Sequence, residues 1–219
     1  MRSLRYCLTS FINKLKELRS AWLHFARRQT FGKKLASQVT NTDVSIISSN
    51  CLGGVIAHDA RLRFNSPTVN MWIPPCDFIE LLKDLEGNLN SELKLTMTES
   101  GYPLGLLNDR IHIHFIHFHS IQEVQEKWQA RLSRVRYDNI RVILTENDGC
   151  TYDDLTAFEA VPYKKVVFTH KPYPELPSAF YVRGFEKVGQ VPFVMGWKGI
   201  FGARRCDGFD WVRFINSDN

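Results

Sequence analysis

The sequence predicts an α/β protein of three layers: a mostly parallel central sheet, helices on both of its faces, and a basic amphipathic helix in front. Two observations set the sheet. Residues 140–145 and 165–169 are short runs rich in apolar residues, the pattern of strands buried on both faces. Between them, residues 153–160 carry a helical pattern, so strand, helix and strand form a βαβ unit with a right-handed crossover. The third observation is charge. Residues 1–39 hold nine Lys or Arg against the single acid Glu17, whereas residues 40–219 hold 19 basic and 22 acidic residues. The chain therefore divides into a helical extension, 1–39, and an α/β domain, 40–219. The basicity belongs to the extension, so the domain is not expected to bind nucleic acid.

In the extension, Leu4, Leu8, Phe11, Leu15, Leu18, Trp22 and Phe25 recur at steps of four and three. Arg5, Lys14, Lys16, Arg19 and Arg27 fall mostly off that stripe, and Gly32 is the expected stop. Such a helix suits an anionic membrane surface, where each Lys or Arg contributes about 1 kcal/mol. It equally suits packing on its own domain or on a second subunit. No run of eighteen apolar residues exists to span a membrane, and no apolar segment leads to a small-residue cleavage site. The expected location is cytoplasmic, with peripheral contact at the inner membrane through residues 1–39. Five cysteines (Cys7, Cys51, Cys76, Cys150 and Cys206) stand at wide, irregular spacings without a C-x-x-C pair, and read as reduced thiols.

Along the domain, residues 44–49 read as a strand and 68–73 as a second, stopped by Pro74-Pro75. Asp77 is the expected cap of a short helix that carries Phe78, Leu81, Leu82 and Leu85. Residues 93–98 read as an edge strand, 101–105 (Gly-Tyr-Pro-Leu-Gly) as a loop, and 111–118 as a strand. Ser120 with Glu123 forms a capping box, opening a helix to about Val135 with Val124, Trp128, Leu132 and Val135 inward. The last thirty residues, rich in Gly, Trp and Phe, are expected to cover one edge of the sheet.

Three strands end in chemically able loops: Ser48-Ser49-Asn50-Cys51-Leu52-Gly53-Gly54, Thr145-Glu146-Asn147-Asp148-Gly149-Cys150-Thr151, and Thr169-His170-Lys171-Pro172. In parallel strands these would lie along one rim, outside the carboxyl ends where α/β proteins hold ligands. Asn50, Cys51, Asp148 and His170 would then face a shared crevice. A thiol at Cys51 needs a cationic or helix-terminal setting to ionise, which His170, Lys171 and a helix opening after Gly53-Gly54 could supply. Asp148 could orient His170 or act as a base. Each loop has a plain alternative: the Gly pair lets a helix approach the sheet, Asp148-Gly149 is a turn, and Cys51 fills space. Neither a P-loop nor a G-x-G-x-x-G is present, and no cofactor is expected. The run "IHIHFIHFHS" carries His112, His114, His117 and His119, but their alternation breaks and no third ligand stands near, so no metal is expected.

Three segments together, "SIISSNCLGGVIAHDARLRFNSPTVNMWI", "YPLGLLNDRIHIHFIHFHSIQEVQEKWQARLSRV" and "DNIRVILTENDGCTYDDLTAFEAVPYKKVVFTHKPYPE", resemble a bacterial family catalogued as a domain of unknown function, number nineteen-nineteen. "FDWVRFIN" fits it too, so the resemblance runs from about Asp43 to the C-terminus. Ser49 and Leu52 depart from the pattern, standing where Asn and an aromatic residue are expected. Its members are often labelled exopolysaccharide biosynthesis proteins. The resemblance implies an enzyme acting on a surface glycan or its activated precursor, a transferase above a hydrolase of a glycan acyl or phosphoryl group. A non-catalytic module that recruits polysaccharide enzymes to the membrane is the other reading. The family's pattern is recognisable at Asn50, Cys51, Gly53, Gly54, Ser66, Pro67, Thr68, Asp148, Gly149, Thr169, His170, Lys171 and Pro172. Cys51, His170 and Asp148 are expected to be catalytic, and Asn50, Gly53, Gly54, Ser66, Thr68, Thr169 and Lys171 to bind substrate. The Asp-x-Asp signature of metal-dependent glycosyltransferases is absent, since Glu146-Asn147-Asp148 keeps only one of its two Asp residues.

Overall fold

The computed structural model describes residues 2–217, with side chains from Phe11 onward. Helix α1 (Arg2–Arg27) passes through a π-helical turn (Arg28–Gly32) into α2 (Lys33–Gln38). Strand β1 (Ser45–Ser48) leads to α3 (Leu52–Asp59), and a long loop reaches α4 (Pro75–Lys83) and α5 (Leu85–Leu89). Strands β2 (Leu93–Met97), β3 (Pro103–Leu107) and β4 (Ile111–His114) form a small antiparallel sheet. There follow α6 (Ile121–Leu132), β5 (Ile140–Thr145), α7 (Tyr152–Glu159), β6 (Lys164–Thr169) and β7 (Ala179–Tyr181). The hairpin β8 (Trp197–Lys198) and β9 (Ala203–Arg204) precedes α8 (Trp211–Asn216).

The main sheet has the order β1-β5-β6-β7, and every neighbouring pair is parallel. Side chains alternate across it. Ile47, Val142, Leu144 and Val167 face α4 to α7 and the small sheet, whereas Ile46, Ile143, Val166 and Phe168 face α2, α3 and α8. Both faces are therefore dry, which is why β5 reads as an unbroken buried run. The fold is a three-layer α/β sandwich, as the patterning predicts. Each strand after β1 is added on the same side, so the order never reverses and the sheet has no switch point. Its site must come from the rim and from what closes over it.

Several local expectations are corrected. Gly32 does not stop the first helix. It is buried where a Cβ would lie 3.5 Å from the Asp59 carbonyl, so it admits α3 at close range while the π-helical turn carries the chain onward. Residues 68–73 form no strand but a single antiparallel bridge, Trp72 to His114. Residues 103–107 form β3, the centre of the small sheet. Pro103 tolerates its place at the first strand position, and Gly105 leaves room for Leu93 and Phe115. Strand β4 ends at His114, short of the expected Phe118. Helix α4 starts at Pro75, with Pro74 as its cap, and Asp77 instead accepts from the backbone and ring of His112. Ser120 caps α6 by accepting from Glu123 N, but Glu123 reaches back to His119 N, and the helix ends at Leu132.

The last residues cover a face of the sheet, not an edge. Trp211 stacks on Phe168, and Phe214 joins the same aromatic cluster through Phe209. Arg141, fully buried in β5, donates to the carbonyls of Phe214 (2.7 Å) and Ile215 (3.3 Å), fastening the end of α8 to the sheet. The inner end of α1, residues 23–27, is likewise part of the packed body. Leu23 and Ala26 are buried. Arg27, 2% exposed, donates to Asp59 (2.7 Å) and, with both fork nitrogens, to Asp207 (2.7 and 3.0 Å). Phe11, Leu15, Leu18, Trp22 and Phe25 stay exposed, while Leu4 and Leu8 lie outside the described side chains. Among the described residues no helix is long and apolar enough to cross a membrane.

Candidate active site at the strand-end rim

The carboxyl ends of β1, β5 and β6 lie side by side, so their three loops share one rim. The first loop is set by a buried hydroxyl chain. Ser48 N donates to Thr68 Oγ1 (3.0 Å), and Thr68 and Ser66 bond each other at 2.9 Å. Both hydroxyls are buried and spent within the protein, so Ser66 and Thr68 shape the loop from beneath and present no free group to a substrate. Asn50 then bridges two loops: its Nδ2 donates to Thr145 Oγ1 at the end of β5, and its Oδ1 accepts from Leu52 N, both at 3.0 Å.

Gly53 is a packing residue. A Cβ there would lie 2.7 Å from the Cβ of Ser48, so only glycine lets α3 seat on β1. Gly54 faces Val69 in the same way, at 3.1 Å. The Gly pair thus takes its plain reading, not a substrate-binding one. Cys51 stands at the start of α3, with its thiol 3.8 Å from the Met71 carbonyl. Burial raises that thiol above the ordinary value, the opposite of the shift an activated nucleophile needs.

In the second loop, Cys150 N donates to Asn147 O (3.0 Å), closing a turn whose central residues Asp148 and Gly149 both have positive φ. That is the Asp-Gly turn geometry, and it leaves the Asp148 carboxylate exposed. Burial, then the charges of Asp154 and Glu146, push the neighbouring Cys150 thiol up to about 12.

The third loop brings the partner that sequence reasoning did not assign. Glu146, 3% exposed, accepts from His170 N and His170 Nδ1 (both 2.7 Å) and from the Tyr173 hydroxyl (2.8 Å). The acid that orients His170 is therefore Glu146, not Asp148. The carboxylate holds the Nδ1 proton and leaves Nε2 as the nitrogen for other work. Burial, and then the bond to Glu146, raises the Tyr173 phenol far above its ordinary value. Thr169 is buried and gives its hydroxyl to Lys171 O, while Lys171 itself is exposed above the Tyr173 ring.

A cavity of about 590 Å³ opens at this rim. It is lined by Asn50, Cys51, Trp72, Ile116, Asn147, Asp148 and the 191–196 segment. That segment is tied to the rim, since Val191 N donates to Glu146 O at 2.6 Å. Trp72 is backed by His114, with ring centroids 4.4 Å apart, and the Tyr102 hydroxyl lies 3.1 Å from the same imidazole. Of the expected catalytic residues, Cys51 and Asp148 share the cavity. His170 belongs to the adjoining Glu146 cluster and is not among the lining residues. His117 lines the cavity, His112 is taken by Asp77, and among the described residues no group of three or more His, Cys, Asp or Glu is placed to hold a metal.

Comparison with known proteins agrees with the sequence motifs. A relative in Haemophilus influenzae, described as an uncharacterized protein, is 41% identical over 208 residues, covering 94% of this chain and 99% of that protein. The family model described as Domain of unknown function (DUF1919) matches residues 22–216, a span that includes the rim, the cavity wall and the inner end of α1. The chain is a member of the DUF1919 family.

Proposed function

We propose that this protein is an enzyme of surface-polysaccharide assembly, transferring a group to a glycan or its activated precursor in the rim cavity. The observation that supports this reading is the mixed lining. Trp72 and Phe193 bring aromatic rings to the cavity, and Asn147 and Asp148 bring an amide and a carboxylate. A sugar ring has the matching pair of surfaces, an apolar C–H face and a hydroxyl edge. The glycan itself is what the family resemblance implies.

In this reading Asp148 takes the proton of an acceptor hydroxyl as that oxygen bonds to the transferred carbon. The bond from this carbon to the donor's leaving oxygen breaks, and the electron pair departs with that oxygen. The leaving oxygen takes its proton from solvent, and His170, held through Nδ1 by Glu146, stays in the neighbouring cluster outside the cavity lining. Exposed Lys171 steadies an anionic part of the donor. Cys51, its thiol pushed up by burial, is floor and not nucleophile.

The test is the mass of the surface glycan in cells lacking the gene and in cells carrying variants. Loss of one group from the glycan is expected in the deletion. Restoration is expected with Cys51→Ala, and activity reduced about 10²–10⁴-fold with Asp148→Asn. An unchanged glycan in the deletion strain would overturn the reading. A second reading has its own observation: Phe11, Leu15, Leu18, Trp22 and Phe25 form an exposed stripe beside Lys14, Lys16 and Arg19, as a peripheral membrane module would. A recruiting module would lose function with Leu15, Trp22 and Phe25, and keep it with Asp148→Asn.

A further inference from the structure

A second cavity, of about 460 Å³, lies on the other side of α3, between that helix and α1. Its lining is rich in cations and imidazoles: His24, Arg27, Arg28, His58 and Arg204. The acid in the lining, Asp59, is engaged by Arg27 at 2.7 Å and lies 3.8 Å from His58 Nδ1. Arg27 is also held by Asp207, so it belongs to the scaffold. Among the described residues no carboxylate forms an ion pair with the guanidinium of Arg28 or Arg204. Arg204 is positioned with care: its guanidinium lies 4.3 Å over the Trp197 ring, against whose face His24 packs edge-on, and its Nη1 reaches Met195 O at 3.4 Å. Its buried Nε has no acceptor within the protein. A buried donor in that state costs free energy unless something else accepts its proton. Burial, then the charges of Arg204 and Arg28, lowers the His24 pKa, with Asp59 pulling the other way, which agrees with a local excess of positive charge.

We propose that this cleft binds a phosphate or diphosphate group, with Arg204 and Arg28 as its cationic partners and His24 and His58 as further donors. An anion oxygen would accept from the Nε edge of Arg204, the donor the fold leaves over, and the stacked guanidinium is held ready for planar, two-point contact. The cleft is edged by apolar surface. Trp22 and Phe25, on either side of His24, are exposed, as are Ile200 and Phe201, and Trp22 Nε1 donates to Ile200 O (2.9 Å). The group could thus belong to a lipid head at a membrane surface or to a soluble phosphate compound. The site stands apart from the rim cavity and does not depend on transferase activity there.

The experiment is an NMR titration of the full-length ¹⁵N-labelled protein with inorganic pyrophosphate at constant ionic strength, following the Arg204 Nε–H and His24 ring signals. A saturable shift of both is expected, with affinity at least tenfold weaker in Arg28→Gln and Arg204→Gln, and no saturable shift with sodium chloride. Should Arg204→Gln fail to fold, Arg28→Gln and His58→Gln, both on exposed side chains, carry the same comparison. No saturable shift, or an unchanged affinity in the folded variants, would overturn the site. A second arm uses phosphatidylcholine vesicles with and without phosphatidic acid. Displacement of the protein from the anionic vesicles by pyrophosphate, lost in Arg28→Gln, identifies a lipid head as the source. Pyrophosphate binding with vesicle association unaffected by it identifies a soluble phosphate.

Discussion

Two stretches of α1 invert each other. In the outer one every side chain of residues 11–22 is exposed, whereas in the inner one, residues 23–27, a charged residue, Arg27, is buried to 2% exposure. The periodicity of the stripe finds the apolar face correctly but says nothing of whether that face is covered. Cover depends on what the rest of the chain brings alongside, and here α3 and the 202–207 segment bring Asp59, Gly202 and Asp207 to the inner stretch. Helix patterning is local; burial is not.

The comparison breaks first, and hardest, at Arg27. Arg27→Ala leaves Asp59 and Asp207 without their shared partner, which should cost about 3–5 kcal/mol. Thermal unfolding should show a midpoint lower by on the order of 10 °C, and an unchanged midpoint would mean the inner stretch is not held as described. Next is the seat of α3 against the sheet. Gly53→Ala places a Cβ 2.7 Å from Ser48, and overpacking of about 1–3 kcal/mol should outweigh the helix propensity alanine adds. Urea denaturation measures it. Substitution of exposed Leu15, Trp22 and Phe25 together by Ser should move stability least, each change within about 0.5 kcal/mol. The same triple variant should lose co-sedimentation with anionic vesicles; retained binding would remove the stripe from any membrane role.

The smallest effect is chemical. Because burial raises the Cys51 thiol, the folded protein at pH 8 holds less thiolate there than the unfolded chain does. Alkylation of Cys51 by iodoacetamide, read by mass spectrometry, should be slower in the native protein than in the unfolded chain and should rise as pH climbs past the ordinary thiol range. Faster labelling in the native state would restore the nucleophile.

The main sheet was legible because strands buried on both faces must be apolar throughout, and β5 and β6 are nearly so. Strand β3 was hidden because Pro103 and Gly105 are turn residues by type, and only the pairing with β2 and β4 gives them strand geometry. Residues 68–73 erred in the opposite sense, since apolar content there serves a buried loop whose Thr68 hydroxyl feeds β1. At the site, Asn50, Cys51 and Asp148 could be placed by strand direction alone. Glu146 could have been found too. With β5 and β6 paired so that Thr145 meets Phe168, the next residues bring Glu146 beside Thr169 and His170. The cation-lined cleft could not, because His24, Arg28, His58 and Arg204 come from three distant segments with no shared period.

One consequence follows from all four strands of the large sheet pointing the same way. One end of the sheet opens on the rim cavity, and the other is tied shut. At the latter, Asn41 and Asn139 exchange side-chain amide bonds, and the Asn216 side chain accepts from the backbone of Thr40 and Asn41. Loop grafts beyond the carboxyl ends would reshape the cavity while sparing the core, and grafts at the amino ends would undo a clasp that joins three separate stretches of chain.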